Sequence, residues 1–170
     1  KTGKVAAFEL HDTQPLQIDA VKKLMNNYTT VSFNGLSYDL PMIAAALKGF
    51  SNARLKAMSD SIIKSNLPSW RVCKEHNIFV PKSWDHIDLI EVAPGQASLK
   101  IYGGRMNAPK MQDLPLEPDA LIQPEQFELM RGYCANDLRT TQMLYEKLSQ
   151  QIALRQSMSE QYGVDLRSKS

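Results

Sequence analysis

A strand followed by a loop and a helix lies in the first third of the chain and constrains the fold more than any other feature. Residues 29–33 (TTVSF) predict the strand, and residues 42–47 (MIAAAL) predict the helix. Pro41 suits the first turn of that helix, where its missing N–H needs no partner. Apolar residues at helical spacing over 17–27 and 52–64 predict a further helix on each side. This alternation of strands and helices predicts an α/β domain.

Two more extended segments and one short helix are expected from the rest of the first hundred residues. The apolar run at residues 4–10 (KVAAFEL) predicts an early strand. Residues 84–92 (WDHIDLIEV) predict a strand or an extended segment. A short helix is expected over residues 98–104, ending at a pair of glycines.

A strong helical pattern begins at Pro124 and fills most of the end of the chain. We expect this helix to break near Gly132 or Asn136 and then to continue. A domain limit is expected after it, so that residues 1–156 form the domain and residues 157–170 form an extension or the start of a linker.

Composition excludes several classes of protein. The 170 residues are 43% hydrophobic and 22% charged, which is typical of a globular domain and unlike a disordered chain. A net charge of +2 gives no global basic field, so any contact with nucleic acid must come from a local patch. No run is long enough to predict a membrane span. Cys73 and Cys134 lack metal-ligand spacing and are interpreted as free thiols of a reducing compartment, the cytoplasm.

The loop after the first strand carries the first of two candidate motifs, SFNGLSYDLP at residues 32–41. It places Asp39 just before a helix, where the helix N-terminus favours a carboxylate that can face an open cleft. Taken alone, Asp39 is either a helix N-cap, the commonest use of Asp at such a position, or a metal ligand. The wider string favours the ligand, because an N-cap needs neither Asn34 nor Tyr38.

The second motif is YCAND at residues 133–137. Tyr133 and Asp137 are four residues apart, so on a helix they share one face. Asp137 can then bind a metal ion, while Tyr133, with an ordinary pKa of about 10, orients water and does not act as a strong base. The alternative is an amphipathic helix with Tyr133 in the core and Asp137 on a solvated face.

Together the two motifs resemble those of the proofreading 3′–5′ exonucleases. Asn34, the pair Tyr38 and Asp39, and Pro41 are spaced as in the second motif of family B DNA polymerase exonuclease domains. The tyrosine and aspartate at residues 133–137 resemble the third motif of the tyrosine-bearing DEDD subclass. The resemblance covers most of the chain and implies an RNase H-like fold, in which a mixed central sheet is flanked by helices.

The resemblance also implies roles for six side chains. These are catalysis for Asp39, Tyr133 and Asp137, metal binding for Asp39 and Asp137, and substrate contact for Asn34, Tyr38 and Lys100. In such sites two ions, Mg²⁺ or Mn²⁺, lie about 4 Å apart, generate hydroxide and stabilise the leaving oxygen. Asp39 and Asp137 are therefore expected to lie close together. For Lys100, the alternative of a solvated surface lysine stays open.

The first motif of the family, an Asp-x-Glu on the opening strand, is absent from the sequence. Asp88 and Glu91 are three residues apart and would point to opposite faces of a strand. Glu9 has no acidic partner on its own run. We therefore expect the first strand of the fold to lie upstream of residue 1, or to have been lost naturally. In either case the chain alone should bind the ions weakly or not at all and should be inactive.

Two functions from different classes follow. The first is the proofreading exonuclease domain of a phage or bacterial DNA polymerase, in the cytoplasm of the cell or of the host. Its partners would be the 3′ end of single-stranded DNA and the polymerase domain of the same parent chain, with no membrane. A standalone exonuclease acting on RNA or DNA is a variant of this function. The second is a catalytically silent RNase H-like module that binds nucleic acid or protein.

Overall fold

Helices dominate the computed structural model of the protein, which describes residues 3–65 and 67–168. A two-stranded parallel sheet accompanies the helices in this part of the chain, so the α/β class expected from the sequence is confirmed. Within the same residues, no helix is both long enough and apolar enough to cross a membrane. The chain divides into two compact units, which we call unit 1 (Lys1–Asp88) and unit 2 (Leu89–Ser170).

Helices and strands alternate in unit 1. Its elements are α1 (Ile18–Asn27), β1 (Thr30–Ser32), α2 (Asp39–Leu47), α3 (Asn52–Lys64), α4 (Ser69–Glu75) and β2 (His86–Asp88). The two strands run parallel, with Thr30 opposite His86 and Ser32 opposite Asp88. Parallel neighbours need a long crossover connection, and helices α2, α3 and α4 supply it here.

Helix α2 is central to the core of unit 1 because it packs on two sides. Ala45 belongs to one cluster, in which Met58 of α3 and Val72 of α4 are fully buried. Leu40 belongs to a second cluster with Met25 of α1. Leu40, the second residue of α2, therefore packs against α1 at the end of the helix that carries the first motif.

Unit 2 is helical in its described part. It comprises α5 (Leu99–Arg105), α6 (Phe127–Lys147), α7 (Ser149–Tyr162) and two 3₁₀ turns, at Leu89–Glu91 and Pro124–Gln126. Helices α5 and α6 approach closely at Gly103, where a β-carbon would lie 3.1 Å from Thr140 Cγ2. This contact places α5 against the middle of α6, one turn beyond the second motif.

Most of the predicted elements are confirmed. Helices over 17–27 and 52–64 are α1 and α3, and the strand over 29–33 is β1. The helix over 42–47 is α2, which begins earlier, at Asp39. The extended segment before residue 92 contains β2, and the short helix after it is α5.

Two expectations are wrong. Residues 4–10 form no strand, and Val5 is 75% exposed. No described strand pairs with this run, and β-propensity without a neighbouring strand is not enough. The break near Gly132 or Asn136 is also absent, since α6 continues to Lys147. A glycine inside a helix costs about 1 kcal/mol, which the packing of α6 outweighs.

Helix α4 was not predicted, because seven residues are too few to show a helical period. The domain limits 1–156 and 157–170 stay a prediction, although α7 continues without interruption to Tyr162. Both cysteines are free, as expected: Cys73 is buried in unit 1 and Cys134 is exposed.

Candidate functional site

The first motif follows β1 in a turn that few residues can form. Asn34 has a φ of 65°, a left-handed conformation that asparagine and glycine adopt more readily than other residues. At Gly35 a β-carbon would lie 1.8 Å from Ser32 Oγ and 3.1 Å from His86 Nε2. Backbone geometry therefore accounts for the Asn-Gly pair, apart from any contact of Asn34 with a ligand.

Asp88, at the end of β2, accepts two hydrogen bonds from the backbone of this turn. Its Oδ1 accepts a hydrogen bond from the Asn34 N–H at 2.7 Å, and its Oδ2 accepts one from the Leu36 N–H at 2.8 Å. The residue is only 1% exposed. Its spacing from Glu91 in the sequence gave no sign of this contact, which depends on the register that pairs Ser32 with Asp88.

Asp39 is the first residue of α2 and not its N-cap. The N-cap is Tyr38, whose side chain makes no capping hydrogen bond, so the N-cap interpretation of Asp39 is wrong. Nearby protein atoms desolvate the Asp39 carboxyl and raise its pKa, although the side chain remains accessible to solvent. The charge of Asp88 raises that pKa further, and a hydrogen bond with its own backbone lowers it in part. An accessible carboxylate therefore stands at the N-terminus of α2.

Asn34 and Tyr38, the two substrate contacts expected in unit 1, differ in their surroundings. Asn34 is exposed, as a ligand contact requires. Tyr38 is half-buried, and its hydroxyl lies 2.8 Å from Ser59 Oγ of α3. Tyr38 thus has a structural partner, and its contact with substrate stays a prediction.

In unit 2, a pocket of about 360 Å³ is lined by the three predicted site residues of that unit: Lys100 of α5, and Tyr133 and Asp137 of α6. Tyr133 and Asp137 are both half-buried in its wall. The alternative interpretation placed Tyr133 in the core and Asp137 on a solvated face, and neither residue is that fully buried or that fully exposed. The rest of the lining is formed by Ser98, Leu99, Lys110, Met111, Gln112, Asn136 and Thr140.

Tyr133 and Asp137 also interact directly. Burial raises the pKa of Tyr133, and a hydrogen bond to the Asp137 side chain and the charge of that carboxylate raise it further, to about 12. The phenol is therefore neutral at physiological pH and donates a hydrogen bond to Asp137. A neutral hydroxyl of this kind is suited to orient a water molecule, not to remove its proton.

Lys110 and Gln112 line the same pocket, and sequence reasoning missed both because they lie in an irregular segment without periodicity. The Lys110 carbonyl accepts a hydrogen bond from Asn136 Nδ2 at 3.3 Å. Gln112 Oε1 is buried and has no hydrogen-bond partner among the described residues. A ligand that donates to it would remove the cost of that unpaired acceptor. Lys100, also in the pocket wall, pairs with Asp113.

No group of three or more His, Cys, Asp or Glu side chains in residues 3–65 and 67–168 is arranged to hold a metal ion. Asp88 uses both carboxylate oxygens on backbone amides. Asp39 belongs to unit 1 and Asp137 to unit 2, so their expected approach stays a prediction. A two-ion site needs a cluster of carboxylates, and the residues present do not by themselves fit a pair of ions.

Comparison with protein-family models, with curated proteins and with solved structures finds no match for this chain. The geometry of the two motifs is therefore the basis on which a function is assigned.

Proposed function

We propose that this chain belongs to a proofreading 3′–5′ exonuclease, the exonuclease domain of a DNA polymerase, and acts at the 3′ end of single-stranded DNA. One observation carries the proposal: Lys100, Tyr133 and Asp137 line a single pocket of unit 2. The pocket combines a cation, a neutral hydroxyl and a carboxylate, which are groups that hydrolysis of a phosphodiester uses. The accessible carboxylate of Asp39 in unit 1 supports it further.

Each side chain has a role in this proposal. Tyr133 orients the attacking water, Lys100 binds a phosphate, and Asn34 contacts the terminal nucleotide. Asp39 and Asp137 are proposed ligands of Mg²⁺ or Mn²⁺, which when bound supplies hydroxide and stabilises the leaving oxygen. The sequence has no Asp-x-Glu pair, so it offers no counterpart to the two carboxylates of the family's first motif.

The proposal extends to the fold and the setting of the domain. An RNase H-like fold is proposed for the α/β structure, with the polymerase domain of the same parent chain as partner and the cytoplasm of the cell or phage host as location. The missing Asp-x-Glu pair favours one alternative, a catalytically silent RNase H-like module that binds nucleic acid or protein. The two functions differ in whether bound DNA is cleaved.

Binding of DNA is the first test, because both the enzyme and a silent nucleic-acid module need it. Fluorescence anisotropy of a 5′-labelled single strand, in EDTA, measures the affinity of the chain. Lys100→Ala and Lys110→Ala should each weaken binding about tenfold, since each removes a cation from the pocket. Lys147→Ala removes an exposed lysine of α6 outside the pocket and should change little.

A circular single strand without a 3′ end should compete poorly with the linear strand for the chain. Equal losses in all three lysine variants, or equal competition by the circle, would contradict a site for a DNA end in this pocket.

A further inference from the structure

We propose that Asp88 is a positioning residue, which holds the turn at residues 34–36 in the shape that places Asn34 and Asp39. The inference rests on the proposed function, in which those two side chains belong to the site. Asp88 is part of neither motif, and it adds a residue that acts through others.

The two hydrogen bonds from the turn are the first step. Asp88 is the last residue of β2 and lies opposite Ser32, the last residue of β1. The turn therefore begins beside the Asp88 carboxylate, which accepts the N–H groups of Asn34 and Leu36 at 2.7 and 2.8 Å. Hydrogen bonds to an ionised acceptor are about twice as strong as neutral ones, and these two offset part of the cost of burying the charge.

Backbone hydrogen bonds also connect this turn to the start of α2. The Asn34 carbonyl accepts the Tyr38 N–H at 3.2 Å, and the Gly35 carbonyl accepts the Leu40 N–H at 2.9 Å. These bonds end on the two residues that flank Asp39. A shift of the turn would therefore move the start of α2 and the carboxylate of Asp39 with it.

A carboxylate is needed at this position because both of its oxygens are used. Asparagine has one acceptor oxygen, and its NH₂ group would face one of the two backbone N–H groups.

The hydrogen bonds can be measured without any assay of function. In the isotopically labelled chain, NMR should detect scalar couplings across the hydrogen bonds from the amide nitrogens of Asn34 and Leu36 to the Asp88 carboxylate carbon. This measurement needs no variant. In Asp88→Asn, hydrogen exchange at one or both amides should become at least about tenfold faster.

Asp85→Asn is the matched control. It removes a carboxylate that precedes β2 and accepts a hydrogen bond from the Thr29 hydroxyl, whereas the N–H groups of Asn34 and Leu36 donate to Asp88. Exchange at Asn34 and Leu36 should stay unchanged in this variant. Absence of the couplings in the unmodified chain, or equal exchange in both variants, would overturn the positioning of the turn.

The role at the site is decided by binding of the 5′-labelled single strand. Asp88→Asn should weaken binding about tenfold, and Asn34→Gly, which keeps the left-handed backbone at residue 34, should add little in that background, because both changes remove the same contact. Full affinity in folded Asp88→Asn, with its amides deprotected, would refute the role of Asp88 at the site. If the unmodified chain binds no DNA, the proposed function fails, and the NMR couplings still decide whether Asp88 holds the turn.

Discussion

Gly35 shows how one residue limits the first motif, because a β-carbon there would lie 1.8 Å from Ser32 Oγ. Gly35→Ala should lower the free energy of unfolding by about 1–3 kcal/mol, as an overpacked site does. Gly132→Ala is the matched control, since it has open space around it inside α6 and should raise stability by up to about 1 kcal/mol. Urea denaturation measures both, and a Gly35→Ala protein as stable as the unmodified chain would contradict the described turn.

The raised pKa of Tyr133 predicts a loss of protein stability at alkaline pH. Its pKa in the folded protein, about 12, lies above the ordinary 10, so the folded state keeps its proton where the unfolded state has lost it. Stability from this group is therefore present below pH 10 and is lost as the pH rises towards 12. Absorbance titration should show one tyrosine ionising late, and Tyr133→Phe should remove it. The same late ionisation in the variant would show that another tyrosine is responsible.

The site residues that sequence could predict are those whose role depends on spacing along one element. Tyr133 and Asp137 could be placed on one face because a helix brings residues four apart together. Asp88 could not, because its contacts depend on the register of two strands that are distant in sequence. Lys110 and Gln112 were missed since an irregular segment has no period from which to infer a direction.

At the scale of elements, a buried histidine of β2 joins side chains across the pairing of β1 with β2. His86 is buried, and its Nδ1 and Nε2 lie 2.8 and 3.0 Å from the hydroxyl oxygens of Thr30 and Ser32. Burial lowers the pKa of His86 below the ordinary 6.5, although the charges of Asp88 and Asp85 oppose this. The folded state thus resists protonation that the unfolded state accepts.

Stability from His86 should therefore fall as the pH drops through 6.5 towards the lower folded-state pKa. Urea denaturation at about pH 7.5 and pH 5.5 should show a loss at the lower pH. The loss should be smaller in His86→Gln, which keeps polar contacts without a titrating ring. A chain equally stable at both values would contradict a buried neutral His86.

Elements with a clear period were predictable, and elements that depend on neighbours were not. Helices α1 and α3 have apolar residues at helical spacing that pack against the rest of unit 1. Residues 4–10 have the composition of a strand, but a strand forms only where a partner offers backbone hydrogen bonds. Gly132 weakens α6 locally without ending it, because tertiary packing outweighs propensity.

At the scale of the whole molecule, the proposed metal ligands are divided between Asp39 of unit 1 and Asp137 of unit 2. With so few carboxylates, the chain should bind Mg²⁺ only weakly, because this ion gives up its water ligands reluctantly and two carboxylates replace few of them. Isothermal titration calorimetry measures the affinity. Two tightly bound ions would show that ligands have been missed, and Glu9, now 3.9 Å from His11 Nε2, would be the first to test.

The most direct test of the exonuclease assignment is digestion of a 5′-labelled single strand, resolved on a gel, by this chain joined to an N-terminal strand that carries Asp-x-Glu. We expect stepwise shortening from the 3′ end that needs Mg²⁺ or Mn²⁺ and stops in EDTA, while the chain alone leaves the DNA intact. Asp39→Ala and Asp137→Ala should abolish digestion, and Tyr133→Phe should reduce it less, since orienting water contributes less than generating hydroxide. Unimpaired digestion by the Asp39→Ala protein would contradict the assignment.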